Sequence, residues 1–231
     1  MADVTPLILL TRPLADAERF AGLLADMGIT AEVAFSPVVE IVPTEAHVDL
    51  TTISGVIFSS RNAVAEVAGH DMPAWCVGEA TAAAARAKGW RAVAADGDAE
   101  SLYARVLADA PKGPLLHIRG QVARGDLAWR LTKVGIKTDD VVVYRQKAHP
   151  LSERAKQTLM RENPVIVPLF SPRAAAQFAE QGPFNAPLHV VVMSEAVAEA
   201  LGEFPVETVV LAEKKEAKAM ANAVARLLDA G

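Results

Sequence analysis

The sequence has one cysteine, Cys76, in 231 residues. That excludes an internal disulfide and a thiolate metal cage. Its place in the apolar stretch Ala74-Trp75-Cys76-Val77 makes it a small buried hydrophobe rather than a reactive thiol. Histidine is also scarce: the five, at 47, 70, 117, 149 and 189, show no metal-ligand spacing, so no metal site is expected. Long apolar runs are missing. Leu7-Ile8-Leu9-Leu10 is closed at once by Thr11-Arg12-Pro13, too short for a signal segment or a membrane span, and a cytoplasmic protein without a membrane partner is expected. Positive charge is not in excess, with 23 Lys and Arg against 28 Asp and Glu and a net charge of −5. A nucleic-acid binder would normally carry a basic footprint, so no such partner is expected and any anionic ligand has to be held locally. No dinucleotide fingerprint follows the first strand, and no Gly-x-Ser-x-Gly elbow occurs. Arg119-Gly120-Gln121-Val122-Ala123-Arg124-Gly125-Asp126 resembles a phosphate loop only loosely, lacking the Gly-Lys pair and the spacing. Familiar cofactor machinery is absent, and no cofactor is expected.

What is present is apolar residue, 52% of the chain, enough for one large core or two modest ones. Two domains of about 100 to 130 residues fit that length. Short β-branched or aliphatic runs alternate with alanine-rich stretches, the pattern of α/β units with a mostly parallel sheet flanked by helices. Strands are expected at 7–10, 32–35, 55–58, 74–77, 91–94, 115–118, 141–144, 165–170, 189–193 and 207–211. Helices are expected at 14–27, 61–68, 79–88, 99–109, 121–134, 152–161, 172–180, 194–202 and 214–229. In the last, Ala217, Met220, Ala221, Val224, Leu227 and Leu228 share one face, which reads as a packing helix.

The chain also repeats itself. Arg12 and Gly28-Ile29 recur as Arg119 and Gly135-Ile136, 107 residues on. Phe58-Ser59-Ser60-Arg61 answers to Phe170-Ser171-Pro172-Arg173 at an offset of 112. Val77-Gly78-Glu79-Ala80-Thr81-Ala82 answers to Met193-Ser194-Glu195-Ala196-Val197-Ala198 at 116. Matched blocks in one order predict two similar domains. Between them lie two extended segments, 37–43 and 141–147, which are either internal strands of consecutive domains or a two-stranded connection between domains.

The chemistry-bearing segments are strand-to-helix junctions: Thr11-Arg12, Ser59-Ser60-Arg61, Gly78 with Thr81, Arg119-Gly120, Ser171 with Arg173, and Ser194. In an open parallel sheet ligands bind outside the strand carboxyl ends, where backbone N–H groups and hydroxyls suit anions. These residues are therefore candidates for substrate binding. The bland alternative for Ser59, Ser171 and Ser194 is helix capping, worth about 1 kcal/mol each, and for the arginines a solvated helix face.

Leu10-Thr11-Arg12-Pro13, Phe58-Ser59-Ser60-Arg61-Asn62-Ala63-Val64, Val77-Gly78-Glu79-Ala80-Thr81-Ala82, Ile118-Arg119-Gly120, Val142-Val143-Tyr144-Arg145 with Ala148-His149-Pro150, and Leu169-Phe170-Ser171-Pro172 form an ordered set that resembles the uroporphyrinogen-III synthase family. The resemblance implies two α/β domains joined by a two-stranded ladder. Residues 1–36 with 147–231 would form one domain and 42–141 the other, with 37–41 and 142–146 as linker strands. It implies a monomeric, cofactor-free lyase of tetrapyrrole (heme) biosynthesis whose substrate is hydroxymethylbilane, a linear tetrapyrrole with eight carboxylates. The substrate would be held in an interdomain cleft and closed with inversion of ring D and loss of water. The resemblance makes Tyr144 the candidate catalytic proton donor; the bland alternative is a packed strand tyrosine. Where the family carries threonines in the second Gly-x-x-Thr block, this chain has Ala196 and Val197, so that their role is either lost or passes to Ser194 and Ser171. The rival reading is a non-catalytic two-lobed relative holding a tetrapyrrole or another small polyanion. A tandem receiver-like module would want an acidic pocket after its first strand, where Thr11-Arg12-Pro13 stands.

Overall fold

The computed structural model describes residues 6–122 and 125–229. In chain order the elements are β1 (Leu7–Leu10), α1 (Leu14–Asp26), β2 (Val33–Phe35), β3 (Val39–Pro43), β4 (Gly55–Phe58), α2 (Arg61–Ala65), β5 (Pro73–Cys76), α3 (Glu79–Ala87), β6 (Arg91–Ala94) and α4 (Ala99–Asp109). They continue as β7 (Leu115–Gly120), α5 (Leu127–Lys133), β8 (Thr138–Ala148), α6 (Glu153–Leu159), β9 (Val165–Leu169), α7 (Pro172–Ala179), β10 (Leu188–Val192), α8 (Glu195–Glu199), β11 (Thr208–Leu211) and α9 (Ala217–Asp229). The runs β1, β4 and β9 have almost no polar position, and all three are buried on both faces. Such runs suit the middle of a parallel sheet covered by helices on each side.

Two sheets result, ordered β11-β10-β9-β1-β2 and β3-β8-β7-β4-β5-β6. Pairing is parallel for β1 with β2 and β9, for β10 with β9 and β11, for β4 with β5 and β7, for β5 with β6, and for β7 with β8. The chain divides into two compact units, Met1–Glu40 with Lys147–Gly231, and Ile41–Gln146. β3 and β8 are neighbours and each crosses that division. Thr44 N–H donates to Val143 O at 3.0 Å and His149 N–H to Val38 O at 2.9 Å, so these two strands run in opposite directions.

In the first unit the side chains alternate between two layers. Leu9, Val167, Leu169, Val190 and Val192 meet α6 and α7 on one face, while Ile8, Leu10, Ile166 and Val191 meet Phe20, Leu24, Met220 and Val224 on the other. In the second unit Val56, Phe58, Cys76 and Ile118 meet α2 and α3, while Ile57, Trp75 and Leu115 meet Leu102, Val106, Leu127 and Leu131 of α4 and α5. The period of two along each strand is what sends successive residues to opposite layers.

The repeat is visible in the backbone. Gly28 and Gly135 both have left-handed φ, 78° and 91°. After each, Ile29 N–H reaches Leu24 O and Ile136 N–H reaches Leu131 O, both at 3.0 Å, the bonds of a helix-ending Schellman turn that favours glycine. The strand order β9, β10, β11, β1, β2 of one unit matches β4, β5, β6, β7, β8 of the other. One sequence pairing needs correction. Val77 N–H donates to Phe58 O at 3.0 Å and Met193 N–H to Leu169 O at 3.1 Å, so Phe58 is equivalent to Leu169, not Phe170. The matching phenylalanines put the sequence alignment one residue out. Ser60 and Ser171, the N-caps of α2 and α7, are thus the equivalent serines, and Ser59 corresponds to Phe170.

Some helices are shorter than expected. α2 stops at Ala65, where Lys88 Nζ donates to the carbonyls of Ala65 (2.7 Å) and Val67 (2.9 Å). α5 starts at Leu127 rather than 121, after Gly125 and Asp126 with φ of 87° and 41°, and Ala123-Arg124 lie outside the described residues. α8 covers only Glu195–Glu199. Among the described residues no helix is long and apolar enough to cross a membrane.

Candidate functional site

In each sheet the winding direction reverses between two central neighbours, β9 and β1 in the first unit and β4 and β7 in the second. The helices following such a pair leave to opposite faces, and a crevice opens at their carboxyl ends. Thr11, Arg12, Ser171 and Arg173 follow β1 and β9, while Ser59, Ser60, Arg61, Arg119 and Gly120 end or follow β7 and β4. Gly78 and Ser194 stand at the next strand ends, as N-cap residues of α3 and α8.

In the second unit, Ser60 accepts the Asn62 N–H at 3.1 Å, and Arg61 opens α2 half-buried. A hydroxyl that accepts in a cap keeps its own proton to donate. Gly78 packs closely on Gly97, where an added Cβ would stand 3.3 Å from Gly97 Cα. Thr81 lies in the first turn of α3 with 5% of its surface exposed. Arg119 is held by Asp140, at 2.8 Å from Nε and 2.5 Å from Nη2, and its Nη1 donates to Gly120 O (3.1 Å) and Gln121 O (3.3 Å). The guanidinium is thereby fixed in direction and only part of it is left for a ligand. Tyr144, on β8, has its ring in the core beside Phe58 and Val143 and against Gly120.

In the first unit, Arg12 stacks 3.8 Å over the Phe170 ring and lies 3.8 Å from Asp16. The Thr11 side chain is closed to solvent, and its buried Oγ1 has no hydrogen-bond partner. Ser171 accepts the Ala174 N–H at 3.2 Å, and Arg173 sits half-buried in the first turn of α7. Ser194 makes no side-chain cap bond. Val197, at the position equivalent to Thr81, is 1% exposed. That position packs inward in both units, so the missing threonine is a core substitution as well as a lost hydroxyl.

The residue that sequence reading missed is His117. It is buried on β7, and its Nε2 lies 3.0 Å from Ser59 Oγ. Burial first, and the nearby Arg119 charge second, push its imidazole down to about 4, so the ring is neutral at pH 7. His117, Arg119, Gln121, Trp129 and Asp140 line a cavity of about 580 Å³ at the end of β7. A second cavity, about 380 Å³, lies by Leu7, Arg161, Pro164 and Val165 at the amino ends of β1 and β9, and none of the expected site residues lines it. Cys76 is fully buried and burial raises its thiol to about 12, which suits packing and not nucleophilic chemistry. Among the described residues no group of three His, Cys, Asp or Glu is placed to hold a metal ion.

The family model of uroporphyrinogen-III synthase HemD matches residues 18–222. The chain belongs to this family. The crystal structure of uroporphyrinogen-III synthetase from Helicobacter pylori is similar at 18% identity, with a TM-score of 0.67 over 96% of this chain and 99% of that one. A mutant uroporphyrinogen III synthase from the extremely thermophilic bacterium Thermus thermophilus is similar at 16% identity, with a TM-score of 0.53 over 98% and 100% of the two chains. At those identities the likeness concerns the fold. No curated protein sequence matches the chain. Within the synthase family, the strand ends at the two reversals, and the cavity beside His117, are this chain's candidate substrate contacts.

Proposed function

We propose that this chain is a uroporphyrinogen-III synthase, a cyclising lyase that closes hydroxymethylbilane with inversion of ring D and loss of water. The observation that carries the reading is the family match over residues 18–222, which spans both units. In support, each unit carries polar residues at the carboxyl ends of its reversed strand pair, where a poly-carboxylate finds hydroxyl and amide donors.

The reaction asks for control of geometry more than for a reactive group. Electrons of the terminal pyrrole expel hydroxide from the hydroxymethyl carbon, leaving an electrophile. Ring closure then occurs either at the free end of ring D, giving the type I macrocycle, or at its substituted carbon, giving a spiro intermediate that rearranges to type III. A thousandfold preference needs about 4 kcal/mol, which fixing one near-attack arrangement supplies. Ser59, Ser60, Ser171 and Ser194 donate O–H groups to the carboxylates, with the amide groups around Gly78 and Gly120 beside them. Thr81 helps to position these segments, and Arg12, Arg61, Arg119 and Arg173 position them and contribute charge. Tyr144 gives its phenol proton to the departing hydroxide, acting as a general acid. The enzyme works as a cytoplasmic monomer without cofactor, on a small-molecule substrate and not on nucleic acid.

Fresh hydroxymethylbilane incubated with the protein, followed by separation of the product isomers, tests the proposal. Predominant type III product supports it. Type I alone, with bound tetrapyrrole, identifies a binding protein instead.

A further inference from the structure

The two units carry the same strand arrangement, so each serves as a control for the other. By that arrangement His117 is equivalent to Leu10, Arg119 to Arg12, and Ser59 to Phe170. In the first unit this corner is apolar: Leu10 is fully buried, and Phe170 packs its ring on Phe20 (centroids 4.9 Å apart) beneath the Arg12 guanidinium. The fold therefore closes here without any polar pair. In the second unit the same corner holds a buried imidazole in contact with a half-buried serine, 3.0 Å apart, next to a cavity. A buried polar pair where an apolar one suffices adds desolvation cost without being required for packing. This asymmetry points to a ligand-directed role.

We propose that His117 is a positioning residue for substrate binding: its Nε2–H donates to Ser59 Oγ and turns the serine proton outward, to a carboxylate of the tetrapyrrole. This rests on the synthase reading above. The proposal assigns the ring proton to Nε2, the nitrogen 3.0 Å from Ser59 Oγ. Arg119, which lines the same cavity as His117, can only donate and so offers the ring no acceptor for a second proton. Asp140, the nearby negative charge on β8, is already engaged by Arg119 Nε and Nη2, and Asp126 stands at the cavity wall before α5. A serine that accepts from imidazole has one proton left, and a donor held toward an anion needs no reorientation when the anion arrives. Were the ring proton on Nδ1, Ser59 would donate to the histidine and offer substrate only lone pairs, which a carboxylate repels.

Two readouts test this. In ¹⁵N-histidine-labelled protein at pH 7, the His117 Nε2 resonance has the shift and proton coupling of a protonated nitrogen and Nδ1 those of an unprotonated one. In steady-state assays, Ser59→Ala and His117→Leu each raise KM by about tenfold with kcat within about twofold, as loss of one charge-assisted hydrogen bond predicts. The double variant is no worse than Ser59→Ala alone, and His117→Gln, which keeps an N–H donor, recovers part of the loss. Leucine at 117 is what the other unit carries, so a folded variant is expected; should it not fold, the tautomer and Ser59→Ala decide. A proton on Nδ1, an unchanged KM in Ser59→Ala, or factors that multiply in the double variant overturn the proposal while the wild type still makes type III product. A wild type that makes only type I overturns the synthase reading, and this proposal with it.

Discussion

The Tyr144 ring lies so close over Gly120 that a Cβ added there would come within 2.7 Å of both the phenol oxygen and Cε2. Gly120 ends β7, and Tyr144 is its register partner on β8 across a bulge after Arg119. The glycine is therefore a matter of space, and the bulge sets where the ring falls. Gly120→Ala should displace the ring, costing about 1–3 kcal/mol of stability as an overpacked core position does, and lowering turnover with it. Urea unfolding and the isomer assay read the two effects. Wild-type values in both would mean that the ring gives way freely.

Tyr144→Phe separates packing from proton donation. The ring stays, so unfolding midpoints should match the wild type closely, while turnover falls at least about tenfold, equivalent to about 1.4 kcal/mol in the barrier. Steady-state rates at saturating substrate are the measurement. A wild-type rate removes Tyr144 from the chemistry and leaves it a strand tyrosine.

The α/β class and nearly every element could be read from the sequence because apolar runs such as Val165–Leu169 and the period of α9 report burial directly. Helix ends were less legible where a tertiary contact sets them, as Lys88 does for α2 from 23 residues away. The one-residue slip between the repeats arose because Phe58 and Phe170 match in type but not in place. His117 was missed for a related reason. Alone among apolar neighbours it reads as one more core residue, and only its register against Leu10, with Ser59 in reach, marks it as unusual. The match to Leu10 was present in the repeat at the offset of 107, but the match of Ser59 to Phe170, which makes the pair unusual, becomes readable only with the alignment corrected.

Val197→Thr would restore the family's hydroxyl in the first unit. Val197 is 1% exposed and its amide already bonds Ser194 O at 2.9 Å, as Thr81 bonds Gly78 O at 3.0 Å. The new hydroxyl enters a packed position, so the variant should lose about 1–2 kcal/mol in urea unfolding and gain no activity. A clear rise in turnover would show that this side chain does meet substrate.

Burial lowers the His117 imidazole from 6.5 to about 4, with the Arg119 charge adding to the effect and Asp140 opposing it. Between those values the unfolded chain takes up a proton at His117 that the folded protein refuses, so unfolding is favoured as pH falls. The contribution of neutral His117 is fully present above about 6.5, shrinks by up to about 1.4 kcal/mol per pH unit below it, and levels off near 4 after a total of about 3 kcal/mol. His117→Leu has nothing to protonate at this position. Urea unfolding of the two proteins from pH 7 to 4 should therefore show the wild type losing stability faster, with the gap changing by about 3 kcal/mol across that range. Parallel pH curves would mean that His117 titrates alike in the folded and unfolded chain, and that burial does not hold it neutral.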